Sequence, residues 1–490
     1  MNKFKQLISN NPGYLVISTV IWEFFSYFGM QALLILYLTE KLKFSDDSSY
    51  AIYGAYTSLV FVTPIVGGWL ADRWLGFKNS IILGCCLIIL GHLCLTLNGM
   101  FTLYLGLSLL VIGVGFFKTN AICLVGRSFE RNPAAKSTAF TIYYIGANIG
   151  ATLGPIVCAY LATTYGWKAG FGAAAVGMAF GLMILWYGRA ALTEFDNQPT
   201  KNNANRALLL CLAAIIPCTL GIAFIIEYDM AGYVLTAIGL IALVWAINIF
   251  RQGTAAQRKG LWFVFMLTLF GTLFWAFDQQ GGSSISLFIE RNVYKDGIPA
   301  AMFQSINPAI IIIFGLFTAW MWKRLSKAKI CLGVLLRVLP GFVLLTAGFG
   351  LLFFGAAIAS KAGQASMFWP VVGLSLIGMA ELFIDPIILS ELTQYAPKGS
   401  VGVLTGMYYL FVGAFANYLA AQIATLTAIT PTAAKTITLA QEAVSYRDNF
   451  WKITLVGVAM ILALLIMQQT WRWYTAKKTR SNCILLEEPV

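Results

Sequence analysis

Six stretches of this 490-residue sequence set charged or amide side chains inside otherwise apolar runs. They read Trp22-Glu23-Phe24-Phe25-Ser26-Tyr27-Phe28-Gly29-Met30, Gly115-Phe116-Phe117-Lys118-Thr119-Asn120 and Tyr143-Tyr144-Ile145-Gly146-Ala147-Asn148-Ile149-Gly150 in the first half. The second half adds Phe274-Trp275-Ala276-Phe277-Asp278-Gln279-Gln280-Gly281, Phe303-Gln304-Ser305-Ile306-Asn307-Pro308 and Ala380-Glu381-Leu382-Phe383-Ile384-Asp385-Pro386. A charge at bilayer depth is costly unless it is paired, hydrated in a cavity or used. Glu23, Lys118, Asp278 and Glu381 are therefore the first candidates for function, and a lone lysine among carboxylates suits binding of opposite charges or proton movement. Covalent chemistry is not expected. The sequence has no phosphate-binding glycine loop and no Ser-His-Asp set. His92 is the only histidine, too few for a usual metal site, and is expected to be a satisfied packing or hydrogen-bonding residue.

The elements that must hold these residues are membrane helices. The composition is 59% hydrophobic and 11% charged, with a mean hydropathy of +0.77, whereas soluble domains carry about a quarter charged residues. A hydrocarbon core of roughly 30 Å needs about 20 apolar residues per span. Fourteen candidates occur, at about 13–38, 50–71, 79–98, 101–124, 138–162, 168–188, 207–226, 231–250, 261–288, 301–322, 331–358, 367–392, 401–427 and 450–473. The net charge of +13 does not form one patch for nucleic acid. Lys3 and Lys5, Arg73 and Lys78, Arg127, Arg131 and Lys136, the segments from Arg251 to Lys259 and Lys323 to Lys329, and Arg472 to Arg480 fall after alternate spans. By the positive-inside rule that side is the cytoplasm, so both termini are expected inside, with no removable signal peptide before the first span. Most of the nine cysteines lie in apolar spans without paired spacing and read as small core hydrophobes.

A polar segment at 189–206, with Arg189, Glu194, Asp196, Lys201, Asn202 and Asn203, separates six spans from the rest. The next two spans carry little polar punctuation besides Glu227 and Asp229 and read as a lipid-facing hairpin. Expected units are 1–190, a linker with the hairpin at 191–260, and 261–490 with a short tail. Trp69-Leu70-Ala71-Asp72-Arg73 is echoed by Trp320-Met321-Trp322-Lys323-Arg324, consistent with a repeat. Gly67-Gly68-Trp69-Leu70-Ala71-Asp72-Arg73, with Gly76 and Lys78, is similar to the major facilitator motif of the loop between the second and third spans. Glycines there permit close helix packing, and Asp72 is placed to accept hydrogen bonds from a neighbouring helix end. The expected fold is all-α and membrane-integral: two six-helix bundles enclosing a midplane site, plus the inserted hairpin.

Together the six polar stretches resemble the proton-dependent oligopeptide transporter family over essentially the whole chain. The Tyr-Tyr-x-x-x-Asn-x-Gly pattern of Tyr143 to Gly150 and the Phe-Phe-Lys-x-Asn pattern of Phe116 to Asn120 are close to its signatures. Within it, the Trp-Glu start, Gly-Met-Gln and the Gln-Gln-Gly-Gly-Ser-Ser-Ile-Ser run look most like the atypical enterobacterial dipeptide permease branch. The resemblance implies an inner-membrane importer of di- and tripeptides, with the proton as coupling ion and no other cofactor. The chain is expected to act as a monomer in the lipid bilayer. Residue types agree, because a zwitterionic peptide needs an anion and a cation facing each other. Glu381 would hold the amine and Lys118 would face the carboxylate. Asn148 and Asn307 would hydrogen-bond the termini or peptide bond, and Tyr27, Tyr53, Tyr143 and Tyr408 would form aromatic walls. The resemblance further implies that Glu381 can pair with Lys118 to close an inner gate.

Two departures bear on coupling. The family's Glu-x-x-Glu-Arg reads Val20-Ile21-Trp22-Glu23-Phe24 here, leaving Glu23 as a candidate protonation site without its guanidinium neighbour. Gln31 replaces the outer-gate arginine, and Gln279 stands where its acid would be. Asp278 is one residue earlier, turned about 100° around an ideal helix. Alternative readings are a carrier of another solute such as an amino acid, nitrate or modified peptide, an exporter, and more remotely a peptide sensor that does not transport.

Overall fold

A computed structural model of the protein describes residues 12–97, 99–196, 204–328, 333–397, 399–428 and 438–484. Lys3, Lys5, Lys201, Asn202, Asn203 and Lys329 lie outside these residues, as do the side chains from Arg472 to Arg480. Fourteen helices among the described residues are long and apolar enough to cross a membrane. They are α1 Gly13–Lys41, α2 Asp46–Leu75, α3 Phe77–Leu95, α4 Met100–Ser128, α5 Ala135–Tyr165, α6 Trp167–Gly188 and α7 Leu209–Glu227. The second seven are α8 Ala231–Gln252, α9 Ala255–Asn292, α10 Ala300–Leu325, α11 Val334–Ala362, α12 Phe368–Tyr395, α13 Val401–Thr425 and α14 Leu439–Thr470.

The expected spans are all present, and the largest displacement is at α14, which begins well before the anticipated 450. Glu442, Arg447 and Asp448 dilute the hydropathy of that first stretch, yet it is helical because Tyr446 and Phe450 pack on Phe288 of α9 at ring-centroid distances of 5.6 and 5.5 Å. Helix starts follow from local chemistry. The Ser45 side chain accepts from the Ser48 amide at α2, and Thr254 and Gln257 form a reciprocal capping box at α9. Gly76, at φ 77°, turns the chain tightly between α2 and α3, a conformation that L side chains rarely adopt.

In the N-terminal bundle α1 packs on α5 and α6, while α4 packs on α2 and α3; in the C-terminal bundle α11 packs on α12 and α14, and α12 on α9 and α10. The bundles meet through α2 with α13 and α5 with α10. Lipid gives little hydrophobic drive between helices, so close approach rests on small residues. A Cβ at Gly150 would run into the Ile21 carbonyl, one at Gly154 into the Phe25 carbonyl, and one at Gly67 into the Gly115 carbonyl. Gly67 thus acts as the motif implied, and Gly68 faces Thr119 of α4. Asp72 lies in the π-helical turn Ala71–Leu75 that closes α2, within electrostatic reach of Cys123. The Lys78 amide at the start of α3 donates to Asp196 of the polar linker at 3.1 Å. The repeat noted in the sequence has a structural counterpart. Arg73 lies over the Trp69 ring at 5.0 Å, and Arg324 over the Trp320 ring at 5.1 Å.

The hairpin is exposed as anticipated: 17% of the apolar window of α7 and of α8 is buried, against 78% in α1. α7 leans on α4, with Cys211 packed among Leu75, Leu87, Ile112 and Phe116. α8 leans on α13, where Leu235 and Ala242 meet Leu410 and Ala414.

The α1–α5 seam supplies a test. Gly150→Val should force these helices apart at a cost of about 1–3 kcal/mol, read as a lower melting temperature in detergent. Gly172→Val, where a Cβ meets nothing within 4 Å, should melt with the wild type. Equal melting of both variants would remove the close-approach argument.

Candidate functional site

The polar side chains of the C-terminal bundle sit where its helices are interrupted. The regular part of α9 ends at Asp278 and passes through the 3-10 turn Gln279–Gly282 before resuming at Ser284. α12 stops at Glu381 and restarts at Asp385, with Pro386 in its new first turn. α10 opens as the 3-10 turn Ala300–Ser305 and becomes regular at Ile306, immediately before Asn307 and Pro308. Irregular backbone at membrane depth survives only where protein or a cavity satisfies it, so these breaks gather polar groups at one level.

Asn307 joins them. Its Nδ2 donates to Glu381 Oε1 at 2.5 Å and to Asp278 Oδ1 at 3.3 Å. The approach depends on Gly378, where a Cβ would stand 3.0 Å from the Asn307 carbonyl oxygen. Asp278 and Glu381 are also within hydrogen-bonding reach of each other. Gln279 Nε2 donates to Asp278 Oδ2 at 3.1 Å. A third acid, Asp385, accepts from Trp275 Nε1 at 2.8 Å and from the Tyr408 hydroxyl. None of the three acids forms an ion pair among the described residues.

The N-terminal bundle presents the opposite charge. Lys118 Nζ lies 4.8 Å from the Phe61 ring centroid, 5.7 Å from Phe24 and 5.8 Å from Tyr27. Three aromatic faces partly stabilise a desolvated ammonium. Glu23, 2% exposed on α1, is within electrostatic reach of Lys118 but outside ion-pair distance, and Lys118 pairs with no other acid among the described residues. Tyr27 packs edge-on against Phe28 and stacks on Tyr56. α5 spans the interval between the bundles: Tyr143 is in electrostatic reach of Glu23 and Tyr409, and Tyr144 of Glu381 and Asp385. Asn148 turns its amide onto the Tyr144 carbonyl of its own helix at 2.9 Å.

The side opposite the basic loops is sealed between the bundles. Arg291 at the end of α9 makes a bidentate pair with Asp46 at the start of α2, at 2.7 and 2.8 Å, and its Nη1 reaches the Tyr446 hydroxyl at 3.2 Å. Gln31 Nε2 donates to the Tyr53 hydroxyl at 2.9 Å, and that tyrosine abuts Gly282 in the interruption of α9. Tyr53 therefore belongs to this seam between α1, α2 and α9. Tyr50 and Thr427 bond across the same seam at 3.0 Å. On the basic side, Tyr144 and Tyr409 are 51% and 44% exposed.

Lys118 and Glu381 thus stand on different bundles without pairing, and Asn307 joins Asp278 to Glu381. The 100° offset assumed a continuous helix, whereas α9 leaves α geometry at Gln279. Sequence reasoning missed the Arg291–Asp46 seal, since charges at span ends look like ordinary boundaries. It quoted Asp385 without assigning it a role. His92 is half as predicted: Nε2 is 2.5 Å from Ser26 Oγ, while the buried Nδ1 has no partner among the described residues. No group of three metal-ligating side chains occurs among the described residues.

The model of the POT family matches residues 78–439. Dipeptide and tripeptide permease A of Yersinia pestis is 29% identical over 477 residues, spanning 95% of this chain and 93% of the relative. Uncharacterized transporter YclF of Bacillus subtilis (strain 168) is 30% identical over 434 residues, spanning 84% and 87%. Among solved structures, tetrameric PepTSo2 superposes with a TM-score of 0.80 at 24% identity, covering 95% of this chain and 99% of that one. A mutant of peptide transporter POT in complex with alafosfalin gives 0.79 at 26% identity, covering 93% and 94%.

The amide bridge is open to test through stability. Asn307→Leu deprives two buried carboxyls of their shared donor and should lower stability by about 1–3 kcal/mol, seen as an earlier thermal transition in detergent. Asn148→Ala, which loses only a bond within its own helix, should move it much less. The reverse order would mean that the cluster is not held by Asn307.

Proposed function

Because the chain belongs to the POT family, we propose that it is a proton-coupled carrier importing di- and tripeptides across the inner membrane by alternating access. The chain is a multi-pass inner-membrane protein of the peptide-transporter fold. The distribution of basic loops supports a cytoplasmic location for both termini. The observation that carries the reading is the pair of opposite charge clusters, one on each bundle, that form no ion pair. Lys118 stands in an aromatic cage on one bundle, and Asp278, Glu381 and Asp385 stand together on the other.

A zwitterionic peptide supplies what each cluster lacks. Its ammonium docks on Glu381, and its carboxylate faces the open hemisphere of Lys118. Asn307 and Asn148 are the amides in reach of the peptide bond and termini, Tyr27 and Tyr408 flank it, and Tyr53 closes the roof. Coupling runs through the proton between Asp278 and Glu381 in this reading. In the inward-open form that proton leaves through the open side. The freed Glu381 carboxylate then pairs with Lys118, drawing the cytoplasmic halves together as the family resemblance implies. Reprotonation from the other side releases Lys118 for the next peptide carboxylate. Glu23 serves as the standing counter-charge to Lys118 in place of the missing Glu-x-x-Glu-Arg circuit. The cycle needs no cofactor beyond the proton, and one chain in the bilayer holds both halves of the site.

Outward opening requires the Arg291–Asp46 pair to separate, so this pair takes the place of the absent arginine–acid outer gate. Removing one partner of a half-buried pair costs about 3 kcal/mol. Asp46→Asn should weaken closure and slow uptake, and Asp46→Arg with Arg291→Asp should restore most of it. If the double variant stays as slow as the single one, the pair is not a gate.

The direct test is uptake of a labelled dipeptide into proteoliposomes with an inward proton gradient. Accumulation should collapse with a protonophore, and Glu381→Gln should lower uptake at least about tenfold through loss of a charged hydrogen bond. Intact uptake by that variant would overturn the amine site. Peptide entry indifferent to the gradient would overturn the coupling while leaving the substrate in place.

A further inference from the structure

Away from the charged cavity, a second hollow of about 310 Å³ opens between the hairpin and the C-terminal bundle, among α8, α9, α12 and α13. Its walls include Ala246 and Phe250 of α8, Trp262 and Phe265 of α9, and Met407 and Tyr408 of α13. Apart from Trp262, Thr268 and Tyr408, its walls carry no polar side-chain nitrogen or oxygen. Apolar hollows of this kind do not hold water. Trp262 is 57% exposed at the rim, in the first turns of α9, as suits a ring at the membrane–water boundary.

The mouth is basic. Arg251 directly follows the wall residue Phe250, and Lys259 precedes the wall pair of Leu261 and Trp262 by two residues. Arg258 lies between them in sequence and braces the α8–α9 turn, its Nε donating to the Gly253 carbonyl at 2.9 Å and its Nη2 to the Arg251 carbonyl at 2.8 Å. All three are exposed, and none forms an ion pair among the described residues. The turn therefore holds three uncompensated cations beside an apolar hollow that faces lipid. Each basic side chain near an anionic membrane surface contributes about 1 kcal/mol of attraction.

We propose that this hollow binds one anionic phospholipid from the leaflet on the basic side, with an acyl chain between α8 and α13 and the phosphate held by Arg251, Arg258 and Lys259. The chain reaches Tyr408, whose hydroxyl donates to Asp385. The lipid therefore supports the acidic cluster from behind, without entering the cavity.

The test is native mass spectrometry of the full-length protein in micelles containing equal phosphatidylglycerol and phosphatidylcholine. The wild type should retain one phosphatidylglycerol in preference to phosphatidylcholine. Arg251→Gln with Lys259→Gln, which leaves the brace of Arg258 intact, should lower that retention about thirtyfold. Ala246→Phe, which fills the hollow, should abolish it, with a melting curve confirming that the variant is folded. Equal retention of the two lipids by the wild type, or unchanged phosphatidylglycerol retention in the double variant, would overturn the site.

Discussion

Ionisable groups held at bilayer depth must find partners, and most of the functional architecture follows from that need. Each carboxyl of the acidic cluster of Asp278, Glu381 and Asp385 is met by a neutral donor: Asn307 for Asp278 and Glu381, and Trp275 with Tyr408 for Asp385. No arginine or lysine is supplied. The ammonium of the N-terminal bundle is met by rings rather than by an acid in contact. Neutral and aromatic partners let both clusters remain folded while neither charge is cancelled. A salt bridge inside either cluster would be more stable locally and would leave nothing for a ligand to complete.

The interruptions of α9, α10 and α12 serve the same end. A continuous helix points successive side chains around its axis and satisfies its own carbonyls. Ending the helix at Asp278 and at Glu381, and beginning it just before Asn307, frees backbone groups and brings three side chains from distant parts of the sequence together. The seal on the opposite side uses conventional chemistry, a bidentate arginine–carboxylate pair, where water is nearer and the desolvation cost smaller.

The spans, the hairpin and the isolated charges were legible in the sequence because each depends on local composition. Lys118 and Glu381 stood out as lone charges in apolar runs, and Gly67 through its motif. What was not legible depends on geometry at a distance. Arg291 and Asp46 are 245 residues apart, and each lies at a helix end where charge is unremarkable. That Asp278 shares Asn307 with Glu381 was not legible, because the three lie on α9, α10 and α12. The start of α14 was hidden because its amphipathic first turns gain their stability from Phe288 rather than from lipid.

The hairpin connects two bodies that must move relative to each other. α7 is fastened to α4 of one bundle, and α8 to α13 of the other and, through the short capped turn at Gly253 and Thr254, to α9. α8 also touches α2 of the first bundle, beside Phe61 and Val62, so rotation of one bundle against the other is shared between that contact and the α7–α8 corner that includes Asp229 at φ 50°. The pair behaves as a mechanical linkage lying in the lipid itself. Lateral pressure that resists the splaying of these two helices becomes a load on the transport cycle, so membrane elasticity acts on turnover without any contact at the binding cavity.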